Sequence, residues 1–305
     1  MKTIYALGVF DGVHLGHRAL LKTCVDLAEK EHCAAGLLKT CVDLAEKEHC
    51  AAGAVTFDSH PDGLISGNPP KLLCTPLQRK QLIEGYNITQ VLVLPFNEKL
   101  RQQPWQEFLE MLIEEGAAGF VCGDDFRFGY KGEGNAALLT EFCKDRGLSC
   151  AVVPEQNLDG VRISSTYIRQ CIENGQMEEA IRFLGHPFVI SGTVVPGKQL
   201  GRTIGIPTAN LQLPEGIVVP RFGVYACKIG SHLAVTNVGT RPTVNGHYVT
   251  VEPWILDFEG DLYGKTLTLE FYKFLRPEQK FDSLEELKAE IQKNAAETRK
   301  FFENK

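Results

Sequence analysis

The feature that most restricts the fold of this chain is a change of hydrophobic periodicity part-way along it. Over the first ~155 residues, short unbroken apolar runs alternate with stretches of helical period. The runs cover residues 4–9 (Ile-Tyr-Ala-Leu-Gly-Val), 54–57, 90–94, 119–123 and 150–153. Unbroken apolar runs suit strands buried on both faces. Helical spacing covers 76–85, 104–115 and 136–145 between them. Alternation of this kind predicts a doubly wound, Rossmann-like parallel α/β sheet, whose ligands bind beyond the carboxyl ends of the strands. A short helix at 177–184 follows, and at Gly185-His186-Pro187 the pattern changes. Short alternating segments with Gly and Pro punctuation then run over 189–195, 223–229, 234–238, 250–257 and 266–274. They predict a small antiparallel β-barrel. One helix closes the chain over 283–302, with Ser283 as its cap and Glu286 as the capping-box partner. The expected domains are therefore residues 1–184 and 185–305.

Composition narrows the function classes. The 305 residues carry 32 Lys+Arg against 38 Asp+Glu, a net charge of −6. General nucleic-acid binders and binders of anionic membranes are usually basic, so neither partner is expected. No apolar stretch approaches the ~20 residues that span a bilayer. The opening MKTIYALGVFDG does not read as a signal peptide, so the expected location is cytoplasmic. The ten cysteines contain no Cys-x-x-Cys and no zinc spacing, and reduced thiols are expected.

Four of those cysteines belong to a repeat. Residues 20–36 read LLKTCVDLAEKEHCAAG, and residues 37–53 repeat the string without a mismatch. Two copies do not make a solenoid. Their identity points to a recent duplication or an artefact of cloning or assembly. A second full helix would return the chain to the wrong edge of a parallel sheet. The expectation is that copy 20–36 forms the helix, and that copy 37–53 bulges or partly disorders at the edge opposite the site. Only the last residues of the second copy would then feed the next strand.

The loop after the first strand carries the first chemistry. It reads Gly8-Val9-Phe10-Asp11-Gly12-Val13-His14-Leu15-Gly16-His17 and opens a helix. Glycines at 8, 12 and 16 permit close backbone approach, and a helix N-terminus favours phosphate. Two histidines at that point can donate to a phosphate that gains charge in a transition state. Further on, Ser164-Ser165-Thr166 with Arg169 places hydroxyls and a guanidinium at another helix start, a suitable clamp for a triphosphate. Gly192 to Lys198 imitates a P-loop, but Gln199 stands where Ser or Thr would bind magnesium, so that reading is rejected.

The first of these strings resembles the HxGH motif of the nucleotidyltransferase superfamily. In its longer form it is similar to the adenylyltransferase half of bacterial bifunctional riboflavin kinase/FAD synthetases. Thr56-Phe57-Asp58-Ser59-His60-Pro61, Gly123-Asp124-Asp125-Phe126-Arg127-Phe128-Gly129 and Ile163-Ser164-Ser165-Thr166-Tyr167-Ile168-Arg169 resemble further strings of that half. Residues 201–210 (GRTIGIPTAN), 237–243 (NVGTRPT), Val251-Glu252 with 255–258 (ILDF), and 275–281 (LRPEQKF) resemble the riboflavin kinase half. Pro253 and Trp254 depart from the pattern, and Pro253 predicts an edge strand there.

The resemblance implies an HxGH nucleotidyltransferase domain followed by a riboflavin kinase barrel. The implied reactions are phosphorylation of riboflavin by ATP, then adenylyl transfer from ATP to the FMN intermediate. It assigns catalytic roles to His14, His17, Arg169 and Glu252. Nucleotide contacts fall to Gly8, Phe10, Asp11, Gly12, Gly16, Ser164, Ser165, Thr166, Gly201, Arg202 and Thr203. Flavin contacts fall to Asp58, His60, Pro61, Asp125, Phe126, Arg127, Phe128 and Arg276, and Mg²⁺ to Thr208 and Asn210. The expected partners are riboflavin, FMN and ATP, with the protein a monomer or weak homo-oligomer. The alternative is a kinase-only enzyme, or a flavin-binding protein, whose adenylyltransferase site the repeat impairs.

Overall fold

The computed structural model describes residues 2–38, 50–197, 201, 204–243 and 246–304, with side chains at all of these but 32–38, 241–243 and 246–248. They form two compact units, Met1–Ser164 and Ser165–Lys305. In the first, five parallel strands lie in the order β3-β2-β1-β4-β5. These are β1 (Thr3–Leu7), β2 (Ala51–Phe57), β3 (Gln90–Leu94), β4 (Ala117–Gly123) and β5 (Ser149–Val153). β1 is flanked by β2 and β4, so the direction of strand succession reverses beside it. That is the switch point at which the loops after neighbouring strands part and leave a crevice. Helices α1 (Leu15–Leu38), α2 (Pro61–Ser66), α3 (Pro76–Glu84), α4 (Glu98–Gln102), α5 (Trp105–Glu114) and α6 (Ala136–Arg146) supply the connections. Every residue of β1 and β2 is buried, as their apolar runs require. One core is built on Ile4, Phe10, Leu21, Ile83 and Val121, the other on Tyr5, Leu7, Phe108, Phe120 and Leu139. A two-stranded hairpin, β6 (Asn157–Leu158) and β7 (Val161–Arg162), ends the unit.

The repeat resolves into two conformations of one sequence. α1 runs through all of copy 20–36, including Ala34, Ala35 and Gly36. The matching Ala51, Ala52 and Gly53 of the second copy open β2 and pair with Thr3, Ile4 and Tyr5 of β1. Gly53 is required there, because a Cβ would lie 2.6 Å from the Tyr5 ring. The expected bulge falls on residues 39–49, which lie outside the described residues.

The second unit opens with α7 (Ser165–Glu173) and α8 (Met177–Leu184). Met177, Ala180, Phe183 and Leu184 form the buried face of α8. A six-stranded barrel follows, of β8 (Phe188–Val195), β9 (Asn210–Gln212), β10 (Gly223–Ile229), β11 (His232–Thr243), β12 (Gly246–Ile255) and β13 (Thr266–Arg276). It closes in the order β10-β11-β12-β9-β8-β13. α9 (Leu284–Glu303) packs on β10 and β11.

Two local expectations need correction. β12 is interior to a closed barrel, not an edge strand. Pro253 is tolerated because it pairs with Thr236 of β11, while the β9 ladder reaches β12 only at Val251. The Pro253 carbonyl accepts from Ala209 N at 2.9 Å, so only a donor is missing from that side. At α9, Ser283 does accept from Glu286 N at 3.1 Å, but the Glu286 carboxylate takes Asp282 N, one residue before the cap. The reciprocal arm of the capping box is therefore displaced by one residue.

Candidate active sites

The histidine loop leaves β1 at its carboxyl end. Phe10, Gly12 and Val13 hold φ of 54°, 78° and 43°. Left-handed backbone costs a non-glycine residue about 1–3 kcal/mol, most for a β-branched one. Phe10 and Val13 are fully buried, and that packing holds them there. Asp11 is buried as well, and its carboxylate accepts from Leu73 N at 2.8 Å. Gly12 N donates to Cys74 Sγ at 3.2 Å. Burial, followed by the charge of Asp11, pushes the Cys74 thiol up to about 12, so it stays protonated.

His14 precedes α1, and its carbonyl accepts from Arg18 N at 3.0 Å. Its Nδ1 accepts from His17 N at 3.3 Å, capping the helix with an imidazole. An accepting Nδ1 is unprotonated, so the ring proton of neutral His14 lies on Nε2 as a donor. The rings of His14 and His17 stack at 3.6 Å with 13° between planes. Gly16 makes this possible, since a Cβ there would stand 3.2 Å from the His14 ring. His17 is held well below the usual 6.5, first by burial and then by His14 and Arg79. His17 therefore faces this loop as a neutral imidazole. The chain before Ser164 reaches the same place: the Ile163 carbonyl lies 3.8 Å from where a Gly16 Cβ would be.

The other predicted residues of this unit are placed as follows. Asp58, just past β2, accepts from Phe96 N at 3.0 Å. His60 caps α2 by accepting from Asp62 N at 3.2 Å, and Pro61 opens that helix. Asp125 pairs with Arg162, which also holds Glu155 at 2.9 Å. Phe126 stacks on Phe128 with ring centres 5.7 Å apart. Phe128 itself is 6% exposed, among Phe108 and Trp105, so it anchors the loop while Asp125 and Arg127 present themselves to solvent. Thr166 and Arg169 belong to α7 of the second unit and bond to each other at 3.4 Å.

In the barrel, Thr208, Asn237, Glu252, Trp254, Arg276 and Glu278 line a cavity of about 530 Å³. Glu252 and Trp254 share a face of β12, and Asn237 lies opposite Glu252 in β11. Arg276 is steadied by Asn294 at 3.1 Å and Glu290 at 3.3 Å, both on α9. A second cavity of about 360 Å³ is lined by Thr208, Pro207, Pro253, Phe258 and Tyr263. Thr208 thus borders both cavities. Asn210 opens β9, with Gly197 packed so closely that a Cβ would meet its side chain. Gly201 folds back on Ile206, accepting its N–H at 2.7 Å. Arg202 and Thr203 lie outside the described residues.

Sequence reasoning did not single out Asn237 and Asn294, which line the barrel cavity, nor Arg79, which is buried beside the histidine loop. Arg79 shares the buried face of α3 with Ile83, and that spacing was its only local signal.

Fold and sites together define a two-domain protein that joins an HxGH-type nucleotidyltransferase sheet to a kinase-type barrel. The riboflavin kinase family model matches residues 184–302, and the FAD synthetase family model matches 1–39 and 35–167. The second model breaks at the repeat, as it must if it contains one copy. A Listeria monocytogenes bifunctional riboflavin kinase/FMN adenylyltransferase is 34% identical over 98% of this chain and 92% of its own. Its Escherichia coli K12 counterpart is 36% identical over 98% and 92%. A solved Streptococcus pneumoniae structure described as a macrolide-efflux protein superposes with TM-score 0.84 at 28% identity, covering 98% of this chain and 94% of that one. Among the described residues no helix is long and apolar enough to cross a membrane. The chain belongs to the bifunctional riboflavin kinase/FMN adenylyltransferase family. The kinase-only alternative is not favoured, since the FAD synthetase model matches on both sides of the repeat.

Proposed function

We propose a division of labour for this bifunctional enzyme: residues 185–305 phosphorylate riboflavin to FMN, and residues 1–184 adenylylate FMN to FAD. The position of Thr208 between two cavities carries the kinase reading. The larger cavity, apolar at Val224, Val235 and Trp254, suits a flavin ring, with Glu252 as base for the ribityl 5′-hydroxyl. The smaller one suits the nucleotide, so that Thr208 marks where the phosphoryl group passes. Arg276 adds cationic charge at the flavin side.

Mg²⁺ fits these residues. Thr208 offers a hydroxyl and Asn210 a neutral carbonyl oxygen, and a mostly hydrated ion needs few protein ligands. When bound it would neutralise phosphate charge. The protein's own part is to hold the hydroxyl acceptor, take its proton at Glu252 and exclude water.

In adenylyl transfer the FMN phosphate attacks the α-phosphorus of ATP and pyrophosphate leaves. His14 Nε2–H and His17 stabilise the charge that develops, without a covalent intermediate. Ser164, Ser165, Thr166 and Arg169 are proposed as triphosphate ligands on the strength of their sequence motif. Gly8, Phe10, Asp11, Gly12 and Gly16 shape the loop. Asp58, His60, Pro61, Asp125, Phe126 and Arg127 are proposed on the flavin side. Chromatography of flavins after incubation with riboflavin, ATP and Mg²⁺ tests the whole reading. FMN followed by FAD is expected. FMN that never proceeds to FAD would refute the proposed role of the first domain.

A further inference from the structure

The side chain that stands out in unit one is Arg79, 1% exposed and the largest fully buried residue described. A buried guanidinium must have a compensating role, because desolvating a charge costs several kcal/mol. Its Nη1 donates to the Val9 carbonyl at 2.9 Å, and its Nη2 to the Phe57 carbonyl. Val9 follows β1 and begins the histidine loop, while Phe57 ends β2 and begins the Asp58–Pro61 loop. One planar fork therefore ties the carboxyl ends of two parallel strands, where no ladder remains to do so. Thr56 Oγ1 adds a second bond to the Val9 carbonyl, at 2.9 Å. α3, which carries Arg79, is itself fixed by a complete capping box of Thr75 and Gln78.

We propose that Arg79 is a positioning residue for adenylyl transfer, holding the histidine loop and the Asp58–Pro61 loop in a single arrangement through the Val9 and Phe57 carbonyls. The inference rests on His14 and His17 acting on the phosphate. It has an electrostatic side as well. His17 faces the His14 ring, the Phe10 edge at 5.2 Å and the charge of Arg79 from α3. Burial, His14 and Arg79, in that order, keep His17 neutral. Arg79 is in turn lowered by burial, with the carboxylates of Asp11 and Asp58 opposing, and it stays charged.

The test compares full-length wild type, Arg79→Met, Arg79→Lys and His17→Gln. Adenylyl transfer to added FMN is followed against pH, with riboflavin phosphorylation in the same samples as the internal control. Displacing a reacting group by about 1 Å costs up to about a hundredfold. In Arg79→Met, kcat should fall at least about tenfold with KM moved less. The acid limb of its profile should shift to higher pH, since a neighbouring positive charge is gone. Arg79→Lys keeps the charge but not the fork, so kcat should fall while the acid limb stays in place. Phosphorylation should be unchanged in both. An Arg79→Met profile that matches wild type in height and position overturns the proposal. So do equal losses in both variants with the acid limb unmoved, which mark a merely structural residue. If Arg79→Met leaves the first unit unfolded by hydrogen exchange, Arg79→Lys decides, and full activity there overturns the fork. If His17→Gln leaves adenylyl transfer intact, the histidine reading itself fails and takes the proposal with it.

Discussion

At the scale of single residues, protonation decides what the first site can do. His17 is neutral in the folded chain and carries its ordinary 6.5 when unfolded. Below 6.5 the unfolded chain binds the extra proton and the folded one does not, so stability falls as pH drops. The slope is at most about 1.4 kcal/mol per pH unit and ends at the folded value. Thermal unfolding of the first unit from pH 7.5 to 5.0 should show this loss, and His17→Gln should reduce it. In the barrel, Glu252→Gln keeps the shape of the cavity but removes the proposed base. Its kcat for phosphorylation should drop by about 10²–10⁴, with riboflavin binding, read by flavin fluorescence, little changed.

At the scale of elements, α9 and the repeat are the informative pieces. Ser283→Ala removes the cap bond to Glu286 N and should cost about 1 kcal/mol in denaturant unfolding. Because α9 supplies Asn294 and Glu290 to Arg276, the same variant should raise KM for riboflavin. Deleting residues 20–36 or 37–53 yields one and the same chain, since the copies are identical. In it Ala-Ala-Gly has to form β2, because Gly is needed opposite Tyr5. The single-copy chain should retain adenylyl transfer at a rate within about threefold of the parent, measured as FAD formed from FMN. Extra loop length costs little closure entropy, roughly 0.6 kcal/mol per doubling, so a large change in either direction would contradict this expectation.

At the scale of the whole molecule, the residues proposed for the two activities do not overlap, so the activities should separate cleanly. Glu252→Gln should form FAD from supplied FMN but not from riboflavin. His17→Gln should stop at FMN. Chromatography of both reactions on both variants checks this, and loss of both products in either variant would contradict the division.

Much of this was legible along the chain. The strand at 90–94 and the helix at 177–184 coincide with β3 and α8, because an apolar period between clear breakers is local information. The histidine loop, Thr208 and Glu252 stood out in the sequence by their residue types and spacing, and the structure sets Thr208 and Glu252 on one cavity. Other features were not local. The same Ala-Ala-Gly is helical at 34–36 and extended at 51–53, since only the second copy has β1 beside it. Arg79 reads as an ordinary surface helix residue until two strand ends, 70 and 22 residues away, are seen to leave carbonyls for it. Pro253 suits an interior strand only because β9 begins at Asn210, beyond the position opposite it. The sequence by itself determined the periods, the caps and the reactive groups. Tertiary structure alone decided which backbone groups were left without partners, because that depends on neighbours brought together from distant parts of the chain.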